Sequence, residues 1–302
     1  MNYDAAFDAE TWAFIRATEA HYAPDASSRS IAEQRAQYDA LCAAFDKGRP
    51  EGVTAEDSTI EAVPVRTYRA EKPREATVIF AHGGGFVLGS LESHDSICAE
   101  FCARTGFTVI AVDYRLAPEH KHPAPYEDVL AVAQVMGDRD GGPIVLVGDS
   151  AGATLVAAVA HQMRRVISGQ LLIYPYLGGD MNAGSYLTHA DAPMLSRADM
   201  MFFESIRCDG PAPTADPSYL PLQDEWYEDL PPTVVVTADC DPLRDEGQLY
   251  CERLTQAGEG AVCINEPGLV HGFLRARHTV DRARKSFDRM VQAIRHLAGP
   301  LD

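Results

Sequence analysis

The sequence lacks the features that would point to a membrane-spanning or nucleic-acid-binding protein. It contains no run of about 18 apolar residues, the length that a transmembrane helix needs. Basic residues are few: 26 Lys and Arg stand against 44 Asp and Glu, for a formal net charge of −18. Nucleic acids and anionic membrane surfaces are bound by basic patches, so we expect neither as a partner.

The sequence also lacks the patterns that are typical of a metal site, a disulfide framework or a secretion signal. The 7 cysteines are an odd number and form no C-x-x-C pair. No His/Cys cluster has the spacing of zinc ligands, so we expect no metal. The first residues lack the basic start and apolar segment of a signal peptide. We therefore expect a cytoplasmic protein with free thiols.

What the sequence does contain is an alternation of short apolar runs with helical segments. A chain of 302 residues that is 46% hydrophobic can bury a large core. Short apolar strands alternating with helices indicate an α/β fold, with a mostly parallel sheet covered by helices on both faces. The predicted strands are an outer strand or hairpin arm at 58–68, then 76–81, 107–114, 144–147, 171–174, 233–237 and 261–265. The predicted helices are 4–22, 28–46, 93–104, 126–137, 151–165, 243–257 and 274–297.

The stretch Gly148-Asp-Ser-Ala-Gly152 lies between a predicted strand and a predicted helix. In that setting a Gly-x-Ser-x-Gly sequence places the serine, here Ser150, on a sharp turn above the end of a parallel sheet. A serine hydroxyl is a poor nucleophile at neutral pH. It needs a base to take its proton, and the base needs an acid to orient it.

Residues of both types follow at the ends of the last two predicted strands. Acidic residues come directly after strand 233–237, and a histidine follows strand 261–265. Because the carboxyl ends of parallel strands meet at one edge of a sheet, these side chains can converge with Ser150. The candidates are Asp239, Asp241 and Asp245 for the acid, and His271 and His278 for the base.

A glycine-rich loop follows strand 76–81, with the sequence His82-Gly-Gly-Gly-Phe86. Three glycines let the backbone pass close to a ligand and present N–H groups to it. Such N–H groups stabilise the oxyanion of a tetrahedral intermediate, together with the residue after the nucleophile. The predicted donors are Gly84, Gly85 and Ala151.

Taken together, the motifs resemble those of the bacterial hormone-sensitive-lipase family of carboxylesterases. The motifs are His82-Gly-Gly-Gly-Phe86, Asp113-Tyr-Arg-Leu-Ala-Pro-Glu-His120, Gly148-Asp-Ser-Ala-Gly152, Asp241-Pro-Leu-Arg-Asp-Glu-Gly247 and His271-Gly-Phe273. They occur in the family's order. The chain departs from the family at Ala153, where a second glycine is often found, and we expect this to affect only local helix packing.

The resemblance implies an α/β-hydrolase fold and a catalytic triad of Ser150, Asp241 and His271. It implies an oxyanion hole from Gly84, Gly85 and Ala151, and no cofactor. Family members hydrolyse short- to medium-chain acyl esters, so the implied partner is a small-molecule ester. Family members often form homodimers through the last strand and helix, which the sequence does not test.

Residues 178–230 are too many for an ordinary connection between a strand and a helix. With the resemblance, they are predicted to form a cap together with the N-terminal helices, although a surface excursion with its own small core is the alternative. The predicted division is an N-terminal cap segment (1–50), the catalytic core (51–177 and 231–302) and an inserted cap segment (178–230). The predicted pocket walls are apolar and suit an uncharged acyl or aryl group: Phe86, Val87, Leu88, Tyr186, Phe202, Phe203, Val270 and Phe273.

The sequence therefore predicts a serine carboxylesterase that works through an acyl-enzyme. An amidase or deacetylase with the same triad is the second hypothesis. A non-catalytic small-molecule receptor on this fold is the third, and it is disfavoured because such a receptor is expected to lose part of the triad.

Overall fold

A single sheet organises the computed structural model, which describes residues 3–22, 29–139 and 142–299. Its strands are β1 (Val53–Ile60), β2 (Val63–Ala70), β3 (Thr77–Ala81), β4 (Thr108–Val112), β5 (Ile144–Asp149), β6 (Gly169–Ile173), β7 (Thr233–Cys240) and β8 (Ala261–Val270). The strand order is β1-β2-β4-β3-β5-β6-β7-β8. The two pairings of β2 are antiparallel and the other pairings are parallel. The predicted mostly parallel α/β sheet is confirmed.

Helices cover both faces of this sheet. They are α1 (Ala9–Glu19), α2 (Ile31–Phe45), α3 (Asp95–Thr105), α4 (Ala124–Gly137), α5 (Ala151–Gln162), α6 (Gly184–Thr188), α7 (Arg197–Arg207), α8 (Arg244–Gln256) and α9 (Asp281–Leu297). Alternate residues of the strands enter two separate cores, one shared with α4, α5 and α8 and the other with α1, α3 and α9. No helix in the described part of the chain is long and apolar enough to span a membrane.

The outer strand or hairpin arm predicted at 58–68 covers the end of one arm of a β-hairpin, its turn and most of the second arm. Its turn residues, Glu61 and Ala62, have φ values of 48° and 66°, the left-handed conformation of a tight hairpin turn. The turn lacks the Asn or Gly that usually marks a hairpin turn in a sequence, so the alternating pattern of the strands did not show where the turn lies. Proline favours edge strands, but Pro64 lies in β2, which pairs on both sides. Its carbonyl accepts a hydrogen bond from the N–H of Asp113 at 3.0 Å.

The single helix predicted at 274–297 is interrupted near its start. A 3₁₀ helix, Phe273–His278, is followed by Val280 in an extended conformation (φ −123°, ψ 118°), and only then does α9 begin. Val280 is buried, and β-branched residues favour extended backbone. This break leaves the 3₁₀ helix beside the carboxyl edge of the sheet instead of along its outer face.

The N-terminal helices and the segment between β6 and β7 meet above the glycine-rich loop. Tyr38 of α2 packs with Val87 and Leu88 of that loop, and Phe203 of α7 lies against the same cluster. The guanidinium of Arg35 on α2 also donates to the carbonyl of Val87 at 2.8 Å. Helix α2 is thereby fixed directly over the loop and beside α7.

A buried carboxylate, Glu246 of α8, holds the start of the inserted segment. Its Oε2 accepts hydrogen bonds from the N–H groups of Leu177 and Gly178, the latter at 2.9 Å. Its Oε1 accepts from the hydroxyl of Tyr186 at 2.5 Å. Burial outweighs these hydrogen bonds and raises the pKa of Glu246 from 4.5 to about 7.

This raised pKa makes Glu246 a source of pH-dependent stability. The folded protein binds the proton more tightly than the unfolded chain, so the stabilisation is complete below pH 4.5 and is lost as the pH rises to about 7. The loss is about 3 kcal/mol, since one pKa unit corresponds to about 1.4 kcal/mol. In Glu246→Gln, which does not titrate, this loss should disappear. Chemical denaturation of the wild type and of Glu246→Gln at about pH 5 and about pH 8 measures this loss. If the two proteins differ in unfolding free energy by the same amount at both pH values, the prediction is contradicted.

Candidate active site

Ser150 stands on a strained turn between β5 and α5. Its backbone is left-handed in φ (φ 53°, ψ −120°), a conformation that a non-glycine residue rarely adopts. The strand and helix come so close that a Cβ on Gly152 would overlap the carbonyl oxygen of Ala81. A Cβ on Gly148 would lie 2.6 Å from the backbone of Gly152. Both glycines of the motif are therefore required by the close approach of strand and helix.

The three residues of the predicted triad lie in one hydrogen-bonded chain. His271 Nε2 is 2.9 Å from the Oγ of Ser150, and His271 Nδ1 is 2.7 Å from Oδ2 of Asp241. The carboxylate of Asp241 is fully buried, and its Oδ1 accepts a second hydrogen bond from the N–H of Leu243 at 2.9 Å. This arrangement lets the imidazole accept a proton from Ser150 while Asp241 fixes its orientation.

The rival residues named from the sequence have other contacts. Asp239 accepts hydrogen bonds from the side-chain amide of Asn265 at 3.1 Å and from the N–H of Gly268 at 3.4 Å. Asp245 accepts from the N–H of Ser185 at 2.8 Å. His278 Nε2 lies 3.1 Å from Glu100. None of these contacts involves Ser150 or His271.

The glycine-rich loop and Ser150 line the same cavity. Gly84 and Gly85 have φ values of 130° and 62°, which L-residues with a side chain adopt only under strain. Within the described residues, neither N–H donates a hydrogen bond to another part of the protein. Ala151 is the first residue of α5, so its N–H has no acceptor within the helix. These groups are the donors that the sequence predicted for an oxyanion.

Asp149 fastens the glycine-rich loop to the turn that carries the serine. Its Oδ1 accepts a hydrogen bond from the N–H of Gly83 at 2.8 Å and lies 3.2 Å from Nε2 of His94. Its Oδ2 accepts from the hydroxyl of Tyr174 at 3.2 Å. Burial opposes ionisation of Asp149, but His94, Arg275 and the Gly83 N–H together lower its pKa to about 2. An ionised Asp149 thus holds the two loops at a fixed separation.

A cavity of about 770 Å³ opens above the serine, between the sheet edge and the helices over it. Ser150, His271, Gly84, Gly85 and Ala151 line it. Of the predicted pocket walls, four contribute to the lining: Phe86, Leu88, Phe202 and Phe203. The cavity therefore gives a small molecule access to Ser150 and to the predicted oxyanion donors at once.

The other four predicted wall residues, Val87, Tyr186, Val270 and Phe273, are not part of this lining, which corrects the prediction. Val87 is buried in the cluster beneath α2, and Tyr186 is engaged with Glu246. Val270 ends β8 inside the core, and Phe273 packs edge-on against Tyr174 with ring centroids 5.3 Å apart. All four were predicted because they are apolar or aromatic. Their side chains are buried in the protein and therefore do not reach the cavity.

The sequence analysis missed much of the lining, because that part comes from the helices above the sheet. Helices α1 and α2, together with the turn that follows α1, contribute Thr18, Glu19, Tyr22, Gln34, Gln37, Tyr38 and Leu41. The inserted segment adds Ala192, Met194, Leu195, Ala198, Asp199, Met200 and Glu204, and Asp149, Tyr174, Tyr176, Gly272 and Arg275 come from the core. Asp149 lies within the serine motif and was within reach of sequence reasoning. The contributions of the helices depend on their placement, for which the sequence carries no motif.

Comparison with known proteins agrees with this fold. Residues 78–275 match a protein family described as alpha/beta hydrolase fold. The chain belongs to this family. The family assignment predicted from the motifs is therefore confirmed.

Curated relatives of this α/β hydrolase carry esterase names. Carboxylesterase NlhH of Mycobacterium tuberculosis is 35% identical over 77% of this chain and 78% of its own length. Esterase LipI of the same organism is 37% identical over 75% of this chain and 73% of its own length. Among solved structures, an ester-hydrolase from the metagenome of Lake Arreo, bound to a bipyridine phosphonate derivative, has a TM-score of 0.89. It is 30% identical and covers 97% of this chain and 100% of its own.

Proposed function

We propose that this carboxylic ester hydrolase cleaves short- to medium-chain acyl esters through an acyl-enzyme formed on Ser150. The proposal rests on one observation above all, the continuous chain of hydrogen bonds from Ser150 through His271 to Asp241. The cavity above that chain supplies room for an acyl group against Phe86, Phe202 and Phe203.

In the first half of the reaction His271 Nε2 takes the proton of Ser150 as its oxygen attacks the ester carbonyl. The N–H groups of Gly84, Gly85 and Ala151 stabilise the resulting oxyanion. The imidazolium then gives its proton to the leaving alcohol, and the ester C–O bond breaks. In the second half His271 takes a proton from a water molecule as its oxygen attacks the acyl-enzyme, and then returns that proton to the Ser150 oxygen as the acid leaves.

The role of Asp241 follows from its burial and its two hydrogen bonds. The Leu243 N–H fixes the carboxylate from one side, and His271 Nδ1 donates to it from the other. A fixed carboxylate keeps the proton of the imidazole on Nδ1 and leaves Nε2 free as a base. The same carboxylate stabilises the imidazolium that forms during the reaction.

Hydrolysis of a series of p-nitrophenyl esters tests the proposal and measures the acyl-chain preference. We expect turnover of the acetate, butyrate and octanoate, highest at short chains, and much weaker turnover of the dodecanoate. A chelator should not change the rates, because no step uses a metal ion. Activity on the matching anilides at rates comparable to the esters would favour an amidase, and no turnover of any ester would contradict the proposal.

A further inference from the structure

Arg275 places a guanidinium in the cavity next to the loop that carries the triad histidine. It belongs to the 3₁₀ helix that follows His271 and lines the cavity. Its Nη1 lies beside Gly272, where a Cβ would be only 3.1 Å from it. Its Nη2 donates a hydrogen bond to the hydroxyl of Tyr38, whose ring centroid is 4.7 Å from the guanidinium carbon. The cation is thus held close to the reacting groups.

No carboxylate forms an ion pair with Arg275 in the described part of the chain. Its Nε is buried and has no hydrogen-bond partner among those residues. The nearby carboxylates of α7 have contacts of their own: Glu204 accepts from the hydroxyl of Tyr219 at 3.0 Å, and Asp199 caps its helix with Ser196. Asp149 acts on the guanidinium through space but does not pair with it, so the hydrogen bonds of a direct ion pair are open to an anion from outside the protein.

Other unpartnered polar atoms belong to residues that line the same cavity. The described residues contain six buried side-chain nitrogen or oxygen atoms without a hydrogen-bond partner, and three of these belong to residues of the cavity lining. They are Arg275 Nε, Thr18 Oγ1 and Gln37 Oε1. Buried polar groups in native proteins are nearly always hydrogen-bonded. Their concentration at one cavity indicates a place where a polar group of a ligand binds.

We propose that the cavity contains a subsite for a carboxylate carried by the substrate, with Arg275 as its cationic partner. The proposal rests on the proposed function, because the carboxylate belongs to the ester that Ser150 attacks. An arginine binds a carboxylate through charge-assisted hydrogen bonds, and the hydroxyl of Thr18 can donate another. The substrates are then half-esters of dicarboxylic acids or acyl esters of hydroxy acids. This changes the expectation of a wholly uncharged substrate pocket.

Arg275 also has a structural contact, because it joins α2 to the loop of His271 through Tyr38. A purely structural arginine would affect charged and uncharged esters alike, since it would act through the position of the catalytic groups. A subsite for a carboxylate affects the charged ester selectively. The ratio of kcat/KM for a charged ester to kcat/KM for its uncharged analogue therefore separates the two roles.

Two substrate pairs distinguish which end of the ester carries the carboxylate. The acyl arm compares monoethyl glutarate with ethyl pentanoate, and the alcohol arm compares 3-(butyryloxy)propanoate with propyl butyrate. Hydrolysis is followed by proton release in a pH-stat at about 0.15 M salt, which limits the long-range repulsion of an anion by the acidic protein. The variants are Arg275→Gln, Arg275→Lys and Thr18→Val. The matched control, Arg69→Met, removes an exposed arginine outside the cavity lining.

In at least one arm, the wild-type enzyme should hydrolyse the charged ester at least as efficiently as its analogue. In that arm the ratio should fall about tenfold to a hundredfold in Arg275→Gln and by a smaller factor in Arg275→Lys, which keeps the charge but not the planar fork. Thr18→Val should lower it about threefold, and Arg69→Met should not change it.

Ratios that are unchanged in the Arg275 variants in both arms would overturn the proposal and leave Arg275 a structural role. A wild-type enzyme that discriminates against the charged ester in both arms would overturn it as well. If Arg275→Gln does not fold, Arg275→Lys and Thr18→Val decide by the same ratio. Wild-type activity on uncharged esters alone would refute only the carboxylate subsite, whereas no activity on either ester of each pair would refute the proposed function.

Discussion

Replacing Ser150 by alanine is expected to lower kcat for a p-nitrophenyl ester by up to about 10⁶-fold. The substitution removes the atom that forms the acyl-enzyme, and no other nucleophile lies in the hydrogen-bonded chain with His271 and Asp241. Any residual rate would come from the oxyanion donors and from substrate binding. Steady-state kinetics on highly purified protein measures the change.

The fold should tolerate this substitution. Alanine and serine carry the same backbone strain at a φ of 53°, and the hydroxyl of Ser150 contacts only His271 in the hydrogen bonds of the described chain. We therefore expect a thermal midpoint close to that of the wild type. The control variant Ser218→Ala removes a hydroxyl outside the cavity and should retain full activity. Turnover by Ser150→Ala within tenfold of wild type would rule out its assignment as the nucleophile.

Asp241→Asn should lower kcat by about 10⁴-fold, because the amide favours the wrong imidazole tautomer. The Leu243 N–H requires an acceptor, which directs the amide oxygen of the new side chain toward it. The NH₂ group then faces His271 Nδ1 and donates to it, so the proton of the imidazole moves to Nε2. With Nε2 protonated, His271 cannot accept the proton of Ser150.

The pH dependence gives this prediction a second readout. At high pH the neutral imidazole of the variant stays in the wrong tautomer, so raising the pH should not restore wild-type activity. Asp239→Asn, at the end of β7, and Asp245→Asn, in the first turn of α8, are matched controls on either side of Asp241, and both should keep kcat within a few-fold of wild type. A larger loss in Asp239→Asn than in Asp241→Asn would place the orienting acid at Asp239 instead.

The carboxyl edge of the sheet was predictable because its residues occur in motifs tied to strand ends. Ser150, Asp241 and His271 each directly follow a strand of the parallel part of the sheet, and parallel strands bring such positions to one edge regardless of the loops between them. The glycine motifs were equally informative, because the close approach at Gly152 admits no side chain. Local motifs and the alternation of strands and helices were therefore sufficient to predict the residues at the carboxyl edge of the sheet.

The cavity walls were less predictable, because they depend on how separate segments pack. Val270 and Phe273 adjoin His271 in sequence, yet both side chains turn into the core. Arg275 was hidden in what the sequence predicted as one long helix. The extended backbone at Val280 separates the 3₁₀ helix from α9. Arg275 therefore lies in the short 3₁₀ helix, where it lines the cavity. Tyr38 reaches the same cavity only because α2 packs over the glycine-rich loop.

The central claim, that Ser150 is the nucleophile, is tested most directly by covalent labelling with a serine-reactive phosphonate. The labelled protein is digested, its modified residue is located by mass spectrometry, and the remaining esterase activity is measured against the labelled fraction. The account predicts one phosphonyl group per chain, attached to Ser150, with activity falling in proportion to labelling. Full labelling of Ser150 with activity retained, or loss of activity with the label on another residue, would contradict it.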